Sequence, residues 1–507
     1  MRILFIYPNL GNILGFNIGI AILSALLKER SHEVKLIHYN ENINIKFDEK
    51  RLKEVIDNFR PGVIGISTNT NQFQVSIMIS KTIKKINKNI PIILGGIHPT
   101  LNPLESLSEE SVDMIILGEG EEAILEIVEK LEHKEDVSQI KNLWLKRDHK
   151  IIKNKLRPFI NLDKVPFMDV SIYEYQKILD LRNGWADVIL NRGCPYDCSY
   201  CFNNSYKELY KTNCEESQKY IRSGDYKKTI DGIIDLTKKY NNIRCISFVD
   251  DDFLIFPDIT EFLRLYKEKI NLPFVVNTNF NSITLDKILE LKKSGCDLIR
   301  VGIESGNEEL RKNILNRSIS NQTMVEKSNL IINNSIRLFT YNMIGLPNEK
   351  KGNVIETLKI NAKIGPDVVK ISTFYPYPKT EIYERCKKLG LISEENGTKS
   401  LNYYETSILN LDDEFELFIK KVQKHPDIYL NYYNYEISSR YKQLIEEIEN
   451  LSAKELDNPG VQKNIQNKKL EISKRLNSQK IPHYKIKYAS YFAVKTPFNH
   501  FNQSGSD

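Results

Sequence analysis

Twice along this chain, short apolar runs alternate with amphipathic stretches of helical length, and that alternation narrows the fold more than any other feature. Between residues 1 and 130 the runs ILFIYP, EVKLIHY, GVIGIS, PIILGG and DMIILG are separated by segments such as IGIAILSALLKE and EEAILEIVEKL. Such alternation predicts a doubly wound parallel sheet, whose ligands bind beyond the carboxyl ends of the strands. Here those ends read YPNLGNILG, STNTN, GGIHPT and GEGE, all rich in glycine and small polar residues. They predict a binding surface.

The second alternation begins near Asp187, with the runs DVILNRG, CISFVDDDF, FVVNTNF, LIRVGIESG, FTYNMIGLP and VVKISTFYPYP. Six β/α units suit an open or partial barrel, again working at its carboxyl face. Residues 141–184 read as a connector with a hairpin in LWLKRDHKIIKN, stiffened by Pro158 and Pro166. Beyond residue 395 the alternation stops, and a mainly helical, tyrosine-rich region capping the barrel mouth is expected. The domains expected are therefore 1–140, 141–184, 185–395 and 396–507, and 507 residues is ample for several cores.

The segment Ile3–Leu27 is uncharged and long enough to cross a membrane, but Pro8, Gly11, Gly15 and Gly19 interrupt it. A cytoplasmic protein is expected, in which a cysteine cluster signals metal rather than disulfides. The formal charge of +6 gathers beyond Leu451. There HYKIKYASYFAVKTPFNHF interleaves bases with aromatics and reads as a solvated end packed on the barrel. Peripheral contact with an anionic membrane surface stays open, and no nucleic-acid partner is expected.

The sequence GCPYDCSYCF places Cys194, Cys198 and Cys201 just after the first strand of the second array. Structural zinc wants four ligands, and the nearest histidines, His149 and His425, lie in other segments. An iron–sulfur cluster on three cysteines leaves one iron open to chelate a small molecule. The C-x3-C-x2-C spacing, with Tyr200 before the last cysteine, resembles the radical SAM superfamily. The resemblance implies a 4Fe–4S cluster on the three cysteines and S-adenosylmethionine (SAM) as cofactor. It places Tyr200 beside SAM and gives Asp251 or Asp252 of FVDDDF to the SAM amine. It gives Glu304 and Ser305 of GIESG to the ribose. Two departures from the family pattern stand out, Asn348 in GLPNEK and Lys379 in YPYPKT, where relatives carry glycine.

Over residues 1–395 the chain is similar to the subgroup with an N-terminal cobalamin-binding domain, through GGIHPTLNP and GEGEEAILEI. The implied cobalamin contacts are Ser67, Thr68, Gly95, Gly96, His98, Gly118, Glu119 and Gly120. The DxHxxG motif that supplies an axial histidine in many cobalamin proteins is absent, and His98 is more readily a hydrogen-bonded loop histidine. No cysteine precedes Cys194, which excludes the methylthiolating branch with its second cluster.

By this resemblance the fold is α/β: a Rossmann-like sheet, a partial (β/α)6 barrel and a mainly helical extension. The implied activity is methylation of an unactivated carbon through a 5′-deoxyadenosyl radical and methylcobalamin. Two alternatives remain at this point. One is ring formation or rearrangement without methyl transfer, as in the porphyrin-ester cyclase branch. The other is a cobalamin- or redox-responsive sensor without turnover. The partners implied are a small-molecule, lipid or peptide substrate and an electron donor such as flavodoxin or ferredoxin.

Overall fold

Each of the two alternations folds into its own sheet. The structure, a computed structural model, describes residues 1–11, 14–148, 150–216, 219–392 and 407–497. In the first sheet β1 (Arg2–Pro8), β2 (Glu33–Tyr39), β3 (Val63–Ser67), β4 (Ile92–Gly95) and β5 (Met114–Ile116) run parallel in the order 2-1-3-4-5. Helices cover both faces, so Ile3, Leu4 and Ile6 of β1 are all buried and the strand reads as an unbroken apolar run. The helix Ile18–Glu29 starts where the Asn17 carboxamide accepts from the Ile20 amide at 3.0 Å. The Asn17 amide also donates to Ser67 Oγ at 2.9 Å, tying the loops after β1 and β3 together where the strand order reverses.

The hairpin expected in the connector belongs instead to this sheet. Its strands β6 (Leu143–Arg147) and β7 (Lys150–Lys153) extend the β5 edge antiparallel, because Leu143 and Leu145 alternate inward onto the core. The first sheet thus reaches residue 153, past the boundary expected at 140.

The second sheet starts with β8 (Trp185–Val188). After it the short strands β9 (Asn191–Arg192) and β10 (Arg222–Ser223) pair antiparallel as a separate ribbon. The sheet continues through β11 (Cys245–Phe248), β12 (Phe274–Thr278), β13 (Cys296–Glu304), β14 (Arg337–Ile344) and β15 (Val368–Thr373). These six run parallel in chain order, and β8 does not pair with β15, so the barrel stays open. The outer face packs on helices through Phe248, Phe253, Phe262, Tyr266 and Phe274, all fully buried and in mutual ring contact. Each such ring contributes about 2 kcal/mol through burial. Cys245 and Cys296 are core residues.

The C-terminal region departs from its expected form in two ways. Its helices pack on the outer side of β14 and β15, with Tyr429 and Tyr441 buried among Ile344, Val369 and Ile371. Those tyrosines are core, not a cap on the barrel mouth. The basic tail is not wholly solvated either: β16 (Tyr484–Ile486) and β17 (Phe492–Lys495) form a hairpin, and β17 pairs antiparallel with β15. The remaining tail residues, 498–507, lie outside the described residues. Among the described residues no helix is long and apolar enough to cross a membrane.

Candidate active site

The carboxyl ends of the two parallel sheets face one another across a cavity of about 460 Å³. On the first domain's side its wall includes Asn17, Ser67, Gly95, Gly96 and the Gly118–Glu121 loop, at the strand-order switch where doubly wound sheets take ligands. On the barrel side it includes Asn191–Gly193, Phe202, Asn203, Tyr206, Tyr220 and Asp251.

The glycine pair after β4 divides its work. A side chain on Gly95 would meet nothing within 4 Å, so that position leaves open space at the wall. Gly96 has φ +103°, and a Cβ there would meet the Thr68 carbonyl at 2.7 Å, so its backbone shape demands glycine. Thr68 and His98 lie behind the wall. Thr68 donates to Ser76 Oγ at 2.9 Å, and His98 stacks on Phe73 with ring centroids 4.0 Å apart. Burial holds the His98 imidazole down at about 4. Both residues brace the cavity loop from the core.

Glu119 does line the cavity, but its carboxylate is committed. It accepts from Arg192 at 2.9 Å, from Arg222 at 2.7 Å and from the Ile160 amide at 2.9 Å, while Glu121 takes the other arm of Arg192 at 2.6 Å. Burial alone would raise its pKa, but the Arg222 hydrogen bond and the two guanidinium charges outweigh that and hold it below the usual range. The loop after β5 is thereby clasped to β9, directly before the cysteines, and to β10.

Cys194, Cys198 and Cys201 occupy the loop between β9 and the helix Phe202–Asn213, and their neighbours Gly193 and Phe202 form part of the cavity wall. Cys198 is buried and the other two half-buried. Burial pushes the thiols of Cys194 and Cys201 up to about 12 and about 11, and neighbouring cysteines of the motif add to each shift. Among the described residues no three His, Cys, Asp or Glu side chains are spaced to share one metal ion. Three thiols spread around one loop rather than gathered on one metal ion suit an iron–sulfur cluster that takes each ligand on a separate iron.

The three aspartates after β11 do different things. Asp250 is buried and accepts from the amides of Leu190 and Asn191, at 3.1 and 2.5 Å, which fixes the turn between β8 and β9; burial pushes it up to about 7. Asp252 is buried too, accepting from Thr278 and Ser282 at 2.6 Å each. It also caps the short Phe253–Ile255 turn by accepting from the Leu254 amide at 3.2 Å. Only Asp251 faces the cavity, positioned by the Asn203 amide at 3.1 Å, and the Asn203 carbonyl in turn accepts from the Tyr220 hydroxyl.

At the end of β13, Glu304 sits at φ +67° on a register shift, and its Oε1 accepts from Tyr200 at 3.1 Å and from Arg317 at 3.0 Å. Burial pushes this carboxyl up against the pull of Arg317. A Cβ at Gly302 would strike that carboxylate at 2.0 Å, so glycine makes room for it. Ser305 is fully buried, and its carbonyl accepts from Arg311 at 2.5 Å. Asn348 and Lys379, which stand where relatives carry glycine, adopt the left-handed backbone themselves, at φ +64° and +66°.

Sequence reasoning missed Arg192, Arg222, Arg317, Asn203 and Tyr220. Arg192 and Asn203 flank the cysteine motif and could have been weighed on that ground. The other three meet the site only through tertiary contacts.

Two family models match the chain: the radical SAM superfamily over residues 188–360 and the B12 binding domain over residues 13–128. An uncharacterised methyltransferase of Pyrococcus horikoshii is 24% identical, over 75% of this chain and 81% of its own. The anaerobic magnesium-protoporphyrin IX monomethyl ester cyclase of Rubrivivax gelatinosus is 25% identical, over 76% of this chain and 70% of its own. Among solved structures, the radical S-adenosylmethionine methyltransferase TsrM of Kitasatospora setae, with cobalamin and a [4Fe-4S] cluster bound, superposes with a TM-score of 0.63. It is 14% identical over 76% of this chain and 75% of its own, a likeness of fold.

Proposed function

Because the chain belongs to the radical SAM superfamily and carries a B12-binding domain, we propose that it is a cobalamin-dependent radical SAM enzyme that methylates an unactivated carbon. The observation that carries this reading is one cavity shared by a glycine-rich doubly wound sheet and a three-cysteine loop. A 4Fe–4S cluster with SAM supplies a 5′-deoxyadenosyl radical, and cobalamin supplies a methyl carrier, so the two sheets would bring both chemistries to one space.

In this reading Cys194, Cys198 and Cys201 hold the cluster. Asp251 takes the SAM amine, since it alone of the three aspartates faces the cavity. Tyr200 and Arg317 orient Glu304 toward the ribose, and Ser305 shapes the strand end. Asp252 acts at one remove, holding the loop that presents Asp251. Ser67, Gly95, Gly118 and Gly120 form the cobalamin wall, with Gly96, Thr68 and His98 bracing it. Residues 1–153 then make the cobalamin domain and 185–392 the catalytic barrel. A one-electron donor of the flavodoxin or ferredoxin kind and a cytoplasmic setting complete the reading.

The cyclase relative supports a second reading, ring formation without methyl transfer. Product analysis separates the two. Anaerobically reconstituted protein with SAM, cobalamin and a strong reductant should form both S-adenosylhomocysteine and 5′-deoxyadenosine. The first should vanish without cobalamin, and the second in Cys198→Ala. Deoxyadenosine alone, with cobalamin present, would move the protein to the cyclase-like reading. Neither product would sink both.

A further inference from the structure

The inner face of the second sheet changes character partway along its strands. Near their starts Cys245, Val275, Leu298, Phe339 and Val368, joined by Val494, form an apolar floor. Two residues further on, and therefore on the same face, come Ser247, Asn277, Arg300, Tyr341 and Lys370. This polar layer lies between the floor and the rim that carries Glu304.

Among the described residues Arg300 lacks a counter-charge. Its guanidinium lies 5.3 Å from the Trp185 ring and donates only long hydrogen bonds, 3.4 Å each, to Asn277 Oδ1 and Ser247 Oγ. Among the described residues no carboxylate pairs with it. The carboxylates of this face are spent elsewhere: Asp187, which pairs in register with Ser247, is forked by Arg182 at 2.5 and 2.8 Å, and Glu304 is held by Arg317. Lys370 brings a second cation to the layer, with its Nζ 6.0 Å from the centroid of the Tyr341 ring. A guanidinium half-buried on the inner face of a sheet, as Arg300 is, is ordinarily matched by an opposite charge.

On the function proposed above, we infer that the substrate carries an anionic group, a carboxylate or a phosphate, which Arg300 binds inside the barrel. A guanidinium fork matches the paired oxygens of either group. Arg300 precedes Glu304 by four residues on one strand, a separation on the order of 10 Å. An anion anchored there leaves the rest of the substrate to reach the rim, where the reacting carbon meets the cofactors. Tyr341, which pairs in register with Gly302, gives that span an aromatic wall.

Tryptophan fluorescence tests this without knowledge of the substrate. The chain has two tryptophans, so Trp144→Phe leaves Trp185, in contact with Arg300, as the sole reporter. In reconstituted Trp144→Phe protein, inorganic phosphate and acetate should each change the emission saturably, beyond what chloride does at equal ionic strength. Arg300→Gln should weaken the effect at least tenfold. Arg300→Lys, which keeps the charge and loses the fork, should weaken it several-fold and serves if the glutamine variant fails to fold. A response no greater than chloride's, or one unchanged in the folded variants, overturns the proposal. SAM cleavage, measured separately, shows whether the reading of the function has failed instead.

Discussion

Adjacent carboxylates can have opposite duties. The run Asp250–Asp252 looks uniform, yet one aspartate pins a turn, one faces the cavity and one closes a loop. Asp252→Asn would set an amide donor against the Thr278 and Ser282 hydroxyls, leaving buried donors unmatched at a cost of about 1–3 kcal/mol. We expect its melting temperature to fall by several degrees. Asp251→Asn should leave melting and iron content near wild type while weakening SAM binding about tenfold by calorimetry, the worth of one charge-assisted contact. Equal SAM affinity in Asp251→Asn and wild type would remove Asp251 from the site. The sequence pointed to the run but not to the member, because which carboxylate caps and which projects depends on where Ser282 and Asn203 arrive from distant segments.

Elements were legible where hydrophobic pattern alone decides them. The five parallel strands of the first sheet and the six of the second follow from their short apolar runs, even where one face of a strand carries polar residues. The hairpin 143–153 and the strands 484–495 were not assigned to their sheets, because edge pairing is settled by the neighbour rather than by the strand. The first loop illustrates the same division between pattern and contact. It lacks the axial-histidine motif, and three histidines of the first domain are placed elsewhere: His38 is buried against Tyr7, His98 against Phe73, and His32 lies beside the amino terminus. Electron paramagnetic resonance of bound cob(II)alamin should therefore show no nitrogen splitting from a protein ligand. Splitting that changes when the protein histidines are isotopically labelled would show that a loop rearranges to ligate the metal.

At the scale of the molecule, the clasp of Glu119 and Glu121 on Arg192 and Arg222 sets how the two domains meet. Glu119→Gln would leave two largely buried guanidinium groups with one carboxylate between them. Losing one partner of such a network costs about 3 kcal/mol or more. Thermal melting should drop by several degrees, and cluster content and cobalamin uptake should fall together because Arg192 adjoins the cysteine loop. Uptake of each cofactor unchanged at wild-type stability would mean the clasp does not join the sites. The far edge of the barrel sheet has a different significance. An open parallel sheet ends in a row of unpaired amides and carbonyls, a template for pairing with another copy of itself. On β15 the first half of that row, at Val368, Val369 and Lys370, is taken up by β17, which comes from a segment far beyond it in the chain. The hairpin of β16 and β17 therefore acts as a guard against polymerisation, and a ribosome-bound chain that has not yet released it carries a sticky edge until the hairpin emerges.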